Sequence, residues 1–255
     1  MRPVRLRRPA ALAVTTVCLA LLVTACGGER RGAEPGGAAG QEKASASATS
    51  APSTAKGLTQ AELDEAIVAQ ADLKGHRVRA DGGQIGSSAV IVDEEACKPI
   101  ADALFAVPHY LATASARVDA IEVPKGTSTV SEDSLTKELA APLTELTLSS
   151  YDGGNHEQVL AEVKASAAAC SDGFTVSVVN ETTKVRSVAP AQVSIGDESW
   201  AWTLDLGLLG GEHATSVVVF RKGSTVVTAS TTTLSPSGTK GLPKALLDAQ
   251  AAKLG

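Results

Sequence analysis

The sequence predicts an α+β fold, a mainly antiparallel sheet packed with helices in a single disulfide-stabilised domain. Between Phe174 and Thr231 the apolar period is two, as in strands with alternating faces. Before that region, and again at the C-terminus, apolar residues recur three and four positions apart, as on a helix face. Helices early, strands late and a helix last describe α+β organisation rather than repeated βαβ units. The third observation is that Cys97 and Cys170 both fall on core-facing positions of predicted helices.

Taken in order, Thr59-Gln60-Ala61-Glu62 is a capping box that predicts a helix to about Leu73, with Leu58, Leu63, Ile67 and Ala71 along one side. Strand patterns follow at Arg77–Ala80 and Ala89–Val92. Asp93–Phe105 reads as helix, with Cys97, Ile100, Ala101 and Leu104 at i, i+3, i+4 and i+7. Pro99 requires that this helix start late, near Glu95. A strand is predicted at Thr113–Val123, then a Ser/Thr-rich stretch of no clear type, then a strand at Thr144–Ser150. Asn155 is the predicted cap of a helix to about Cys170 that aligns Val159, Val163, Ala167 and Cys170. Five strands follow at Phe174–Val179, Thr183–Val188, Trp200–Leu206, Thr215–Arg221 and Thr225–Thr231, the last two joined by Lys222-Gly223-Ser224 as a hairpin. A closing helix spans Leu242–Leu254, with Pro243 allowed in its first turn.

The N-terminus carries a separate message. Met1–Arg8 holds four arginines and no acid, and Pro9–Ala25 has no charged side chain. That run is short for a membrane span, which needs about 20 apolar residues, and three threonines dilute it. It reads as a secretion signal. At its end, Val23-Thr24-Ala25-Cys26 resembles the lipobox of bacterial lipoproteins. The resemblance implies cleavage before Cys26, a diacylglyceryl group on its sulfur and acylation of the new amine, with palmitate-type chains. Ordinary signal cleavage is the alternative. Two or more acyl chains meet the physical requirement for stable anchoring. From Gly27 to Gly57 there is no Val, Ile, Leu, Met or aromatic residue, so these 31 residues cannot offset their ordering entropy by burial. As a coil they would span about 30 Å. The predicted organisation is therefore a lipoprotein signal peptide at 1–25, a lipidated cysteine and disordered tether at 26–57, and a domain at 58–255, held by its membrane anchor on the extracytoplasmic face.

Removing the signal takes four of the 23 basic residues and none of the 28 acidic ones, which leaves 19 against 28, a net charge of −9. Nothing clusters Lys or Arg on the scale that a nucleic-acid partner needs. Export places Cys97 and Cys170 in an oxidising compartment, so a disulfide is expected, with two unpaired buried thiols as the alternative. Closing a loop of that length is worth about 4 kcal/mol in the chain-entropy account. Two cysteines so far apart with no nearby histidine make a poor metal site, and no cofactor motif is present.

Several segments together have a familiar pattern. A helix-borne Cys97, Tyr151-Asp152-Gly153 before a helix ending Ala167-Ala168-Ala169-Cys170, Ile195-Gly196-Asp197-Glu198, and Val219-Phe220-Arg221-Lys222-Gly223-Ser224-Thr225-Val226-Val227 resemble actinobacterial lipoproteins related to the PknH-like extracellular sensor domain. The resemblance spans most of 58–255. It implies an α+β module with a cleft, found fused to a membrane-spanning serine/threonine kinase or free as a lipoprotein. Such domains tend to carry two disulfides, whereas here only Cys97 and Cys170 are available. There is no kinase segment, so signalling would require another protein.

An enzyme reading meets only decoys. Ser134-Leu135-Thr136-Lys137 matches the S-x-x-K of penicillin-recognising enzymes and Ser171-Asp172-Gly173 can be taken for their second motif, but Lys222-Gly223-Ser224 and Thr239-Lys240-Gly241 both miss the third. The histidines His76, His109, His156 and His213 adjoin loop-like sequence and are expected in solvent. Asp152, Asn155, His156 and Glu157 form the densest polar cluster, explained by a turn, a cap and acids at a helix N-terminus. Trp200 and Trp202 share one face of a strand. They are either core anchors or, for one of them, the lining of a cleft between sheet and helix, and so are the ligand-binding candidates. The expected function is a non-catalytic, lipid-anchored, sensor-like protein that binds an envelope small molecule or protein. The alternatives are an interaction lipoprotein that docks by its surface and, behind it, an unrecognised hydrolase.

Overall fold

The computed structural model describes residues 56–80, 86–123, 140–207, 213–233 and 241–255. The expected signal peptide, Cys26 and the tether up to residue 55 lie outside the described residues, as do Ser134–Lys137 and Thr239–Lys240. The elements in chain order are α1 (Gln60–Ala66), β1 (His76–Ala80), β2 (Val90–Val92), α2 (Lys98–Leu104), β3 (Ala114–Glu122), β4 (Leu143–Ser150), α3 (Asn155–Ala169), β5 (Phe174–Val178), β6 (Glu181–Ala191), β7 (Glu198–Leu206), β8 (His213–Lys222), β9 (Thr225–Thr232) and α4 (Lys244–Lys253). The nine strands form one sheet in the order β1-β3-β4-β9-β8-β7-β6-β5-β2. Every neighbouring pair is antiparallel.

Alternation along the central strands splits the apolar residues between two cores. Trp202, Leu204, Val217, Val219 and Val226 face one side, where they meet Ile100 and Leu104 of α2 and Val159, Leu160 and Val163 of α3. Ala201, Val218, Phe220, Val227 and Ala229 face the other side, where Leu63 of α1 and Leu246 and Leu247 of α4 close over them. The fold is thus helices on both faces of an antiparallel sheet, since strands buried on both faces need cover on both. Cys97 and Cys170 are joined by a disulfide with Cα atoms 5.8 Å apart. It ties the start of α2 to the end of α3 inside the first core, beside Ser166, whose hydroxyl donates to Ala96 O at 2.7 Å and accepts from Ile100 N at 3.2 Å.

Four sequence expectations change. The first helix stops at Ala66 instead of reaching Leu73, and a separate 3-10 turn covers Gln70–Asp72. The break has a long-range cause: the Gln250 side chain of α4 accepts from Val68 N at 2.9 Å and donates to Ala66 O at 2.9 Å, while Lys253 donates to Ile67 O at 2.8 Å. Ala71, placed on the apolar side, is exposed as a result. Asn155 is the first residue of α3 rather than its cap; Gly154 holds the cap position with no side-chain bond. The predicted strand Thr183–Val188 extends to Glu181–Ala191. Its Pro190 is tolerated because β5 pairs only with Glu181–Val185, so that β6 has an open edge further along. Finally, three of the four histidines are buried: His109, His156 and His213 are 8%, 4% and 6% exposed.

Candidate functional site

β7 places both tryptophans on the α2/α3 side of the sheet, as the alternation requires. Trp202 is packed into the core there, 5% exposed. Trp200, two residues nearer the start of the strand, sits at the rim of the same core and is half-buried. Lys164 of α3 lies over its ring, with Nζ 3.7 Å from the centroid. Its indole Nε1 donates to Glu198 Oε1 at 3.3 Å. The exposed end of this strand therefore offers an aromatic face covered by a displaceable cation, with a carboxylate beside it. A flat apolar or sugar-like group that displaced Lys164 would gain ring surface and keep one donor and one acceptor within reach.

A second polar group sits under the first core. Asp102 of α2, 6% exposed, accepts from Ser87 Oγ at 2.7 Å and from Lys98 Nζ, and Lys98 Nζ also reaches Ser87 Oγ at 2.6 Å. Burial pushes the Asp102 carboxyl above its usual range in spite of Lys98 and Ser87, which pull it down. This arrangement fastens the 86–89 segment to α2. His109 meets Glu162 Oε2 at 2.8 Å, which links the loop after α2 to α3. Tyr151, 1% exposed, has its hydroxyl pushed up to about 12 by burial, with Ser149 and the His109 backbone acting the other way. These groups are dispersed over α2, the loop after it, α3 and the end of β4. Among the described residues no group of three or more His, Cys, Asp or Glu side chains could hold a metal ion.

Neither tryptophan lines any of three cavities that open among the described residues. One of about 290 Å³ lies between the β6–β7 connection and the start of α4. Another of about 330 Å³ runs along the β5–β6 hairpin beside Phe105. The third, about 270 Å³, is bounded by Lys56–Gln60, Thr113, Ala114 and Asp152. Sequence reasoning missed the first because its walls, Gln192–Ile195 and Leu242–Asp248, come from segments far apart in the chain, and the second because it lies along a hairpin whose turn carries no glycine signal and whose far wall is Phe105. The segments that carried the family resemblance do meet in space, as a structural staple. Asp197 accepts from Gly223 N at 2.8 Å and pairs with Arg221 at 3.4 Å, and Asp197 N donates to Arg221 O at 2.8 Å. The Gly223 amide, ahead of Lys222 and Arg221, holds the Asp197 carboxyl below its usual range.

No family model matches this chain, and no curated protein matches it. Among solved structures, the extracellular domain of PknH from Mycobacterium tuberculosis is similar with a TM-score of 0.48 and 12% identity, over 78% of this chain and 95% of that one. At that identity no residue role passes from one to the other.

Proposed function

We propose that this is a lipid-anchored, extracytoplasmic binding protein without catalytic activity, whose ligand contact runs through Trp200. The lipobox ending at Cys26 and the disulfide in the first core support the address. The observation that carries the binding reading is Trp200 itself: one of only two tryptophans in the chain, half-buried at a rim, with Lys164 over its face and its Nε1 turned to Glu198. A second reading, docking by surface contact without a small ligand, is favoured by the exposed apolar residues Val179, in the β5–β6 turn, and Ile91, on the edge strand β2, 73% and 63% exposed.

The test pairs stability with binding. Trp202→Ala should cost roughly 3–5 kcal/mol in urea unfolding, as for a core aromatic, and Trp200→Ala clearly less. Titration of the wild-type protein with envelope glycan and lipid fractions should shift tryptophan emission, and Trp200→Ala should abolish the shift. No shift with any fraction, or a shift unchanged in Trp200→Ala, rejects the rim as the binding site. Detergent partitioning of the exported protein tests the anchor: wild type enters the detergent phase, and Cys26→Ser material processed and partitioned in the same way would refute acylation at that cysteine.

A further inference from the structure

The cavity of about 330 Å³ along the β5–β6 hairpin is an apolar groove, and among the residues that line it Glu181 alone carries a charge. Val176 pairs with Thr183 and Val178 with Glu181, so these four side chains share one face of the hairpin, with Phe105 at the end of α2 as the far wall. Val176 is buried in the first core. Phe105 and Val178 pack against the edge of that core and are half-buried, and Val179 stands in solvent. The groove thus has a dry floor and opens towards the turn.

Val179 is an unfavourable residue for its position. With Asn180 it makes the two-residue turn, at φ of 49° and 68°. That conformation suits Asn and Gly, whereas a β-branched side chain is an outlier in it. Glycine would make the same turn without strain, and a valine left in solvent contributes little by burial. Residues held in strained conformations cluster at binding sites, and what Val179 adds here is an apolar lip on the groove. Ile91 does not widen it. That residue is out of phase with Val90 and Val92, the neighbours of Val178 and Val176, and so points to the other face of the sheet. The groove has about twice the ~150 Å³ that holds a benzene molecule, room for about ten carbons. A stable protein interface covers about 800 Å² on each partner, so a groove of this size suits a small occupant. Glu181 sets the sign of its polar end.

We propose that this groove binds a small cationic amphiphile, with an apolar chain of about ten carbons between Phe105 and the hairpin and its ammonium group beside Glu181. The site is separate from the Trp200 rim, so either can fail without the other. The probe is decylamine below its micellar range, with decanoate and butylamine as controls for charge and chain length. Calorimetry on the mature-length Cys26→Ser chain, which needs no detergent, reads the binding. Decylamine should bind with one molecule per chain, decanoate about threefold more weakly, and butylamine more weakly still. Glu181→Gln should remove the preference for decylamine over decanoate. Val179→Gly should raise the urea midpoint yet weaken decylamine binding about fivefold, a pairing that a purely structural residue does not give. Tryptophan emission should stay constant as decylamine binds, because neither tryptophan lines the groove. The proposal is overturned by no binding of decylamine, by decanoate or butylamine binding as tightly, or by a preference that survives Glu181→Gln. It is overturned equally by unchanged binding or a lower urea midpoint in Val179→Gly. Emission that shifts in step with binding would place decylamine at the Trp200 rim, which also overturns it and leaves the rim reading standing.

Discussion

Among single side chains, Asp102 shows how the first core tolerates a buried charge. Its carboxyl sits above the usual range because burial outweighs the help of Lys98 and Ser87, with His109 contributing less. A folded-state value above the unfolded one means that the fold binds this proton more tightly than the unfolded chain does. This group's unfavourable contribution is therefore full at neutral pH and fades as pH falls through the raised value towards 3.8. Lys98→Met removes the countercharge and should push the carboxyl higher still. The expected cost is about 1–3 kcal/mol at pH 7, as for a buried charged group losing its partner, and less at pH 4, because the raised value lets the folded carboxyl take up its proton before the unfolded one does. Urea unfolding at the two pH values checks it. Equal deficits would mean that Lys98 acts through packing and not through charge. Trp200 is the opposite case, a large side chain left partly uncovered at the rim of the same core.

For the elements, the sequence was readable wherever one period was sustained and its partner was local. The strands Trp200–Leu206, Thr215–Arg221 and Thr225–Thr231 appear within two residues of their predicted bounds, because alternation and a Gly-centred hairpin are nearest-neighbour signals. The break in α1 was invisible because it depends on Gln250, whose amide reaches across 182 positions to Val68. The inward turn of His109 depends likewise on Glu162, 53 positions away. The β5–β6 hairpin is a third case. Its two turn residues, Val179 and Asn180, both have positive φ, 49° and 68°. Asn suits that conformation and a β-branched valine does not, so Val179 stores strain while standing 73% exposed. Val179→Gly should therefore stabilise the domain by about 1 kcal/mol despite the loss of a side chain. A lower midpoint in urea would show that Val179 is held by contacts along the adjoining groove with Phe105, Val176 and Val178.

For the whole molecule, one sheet supports two cores, and the disulfide closes only one of them. The Cys97–Cys170 bond lies in the core that α2 and α3 cover, whereas the core under α1 and α4 is held by Leu63, Leu246, Leu247 and the Gln250 clamp. Without the bond, α2 would keep Ser166 and its apolar contacts but lose its covalent tie to the end of α3. The double change Cys97→Ala, Cys170→Ala should cost about 2–5 kcal/mol overall, as for native bridges in exported domains. The distribution of that loss is the sharper expectation, because stability within a domain is not uniform. Native-state hydrogen exchange should show amides of α2 and α3 opening at a lower free energy than those of α4, by local separation of the two helices from the sheet. In the oxidised protein the two faces should open at more similar free energies. If the double variant instead exchanges uniformly over both faces, the two cores unfold as one unit, and the bond acts through the unfolded chain rather than by holding α2 against α3.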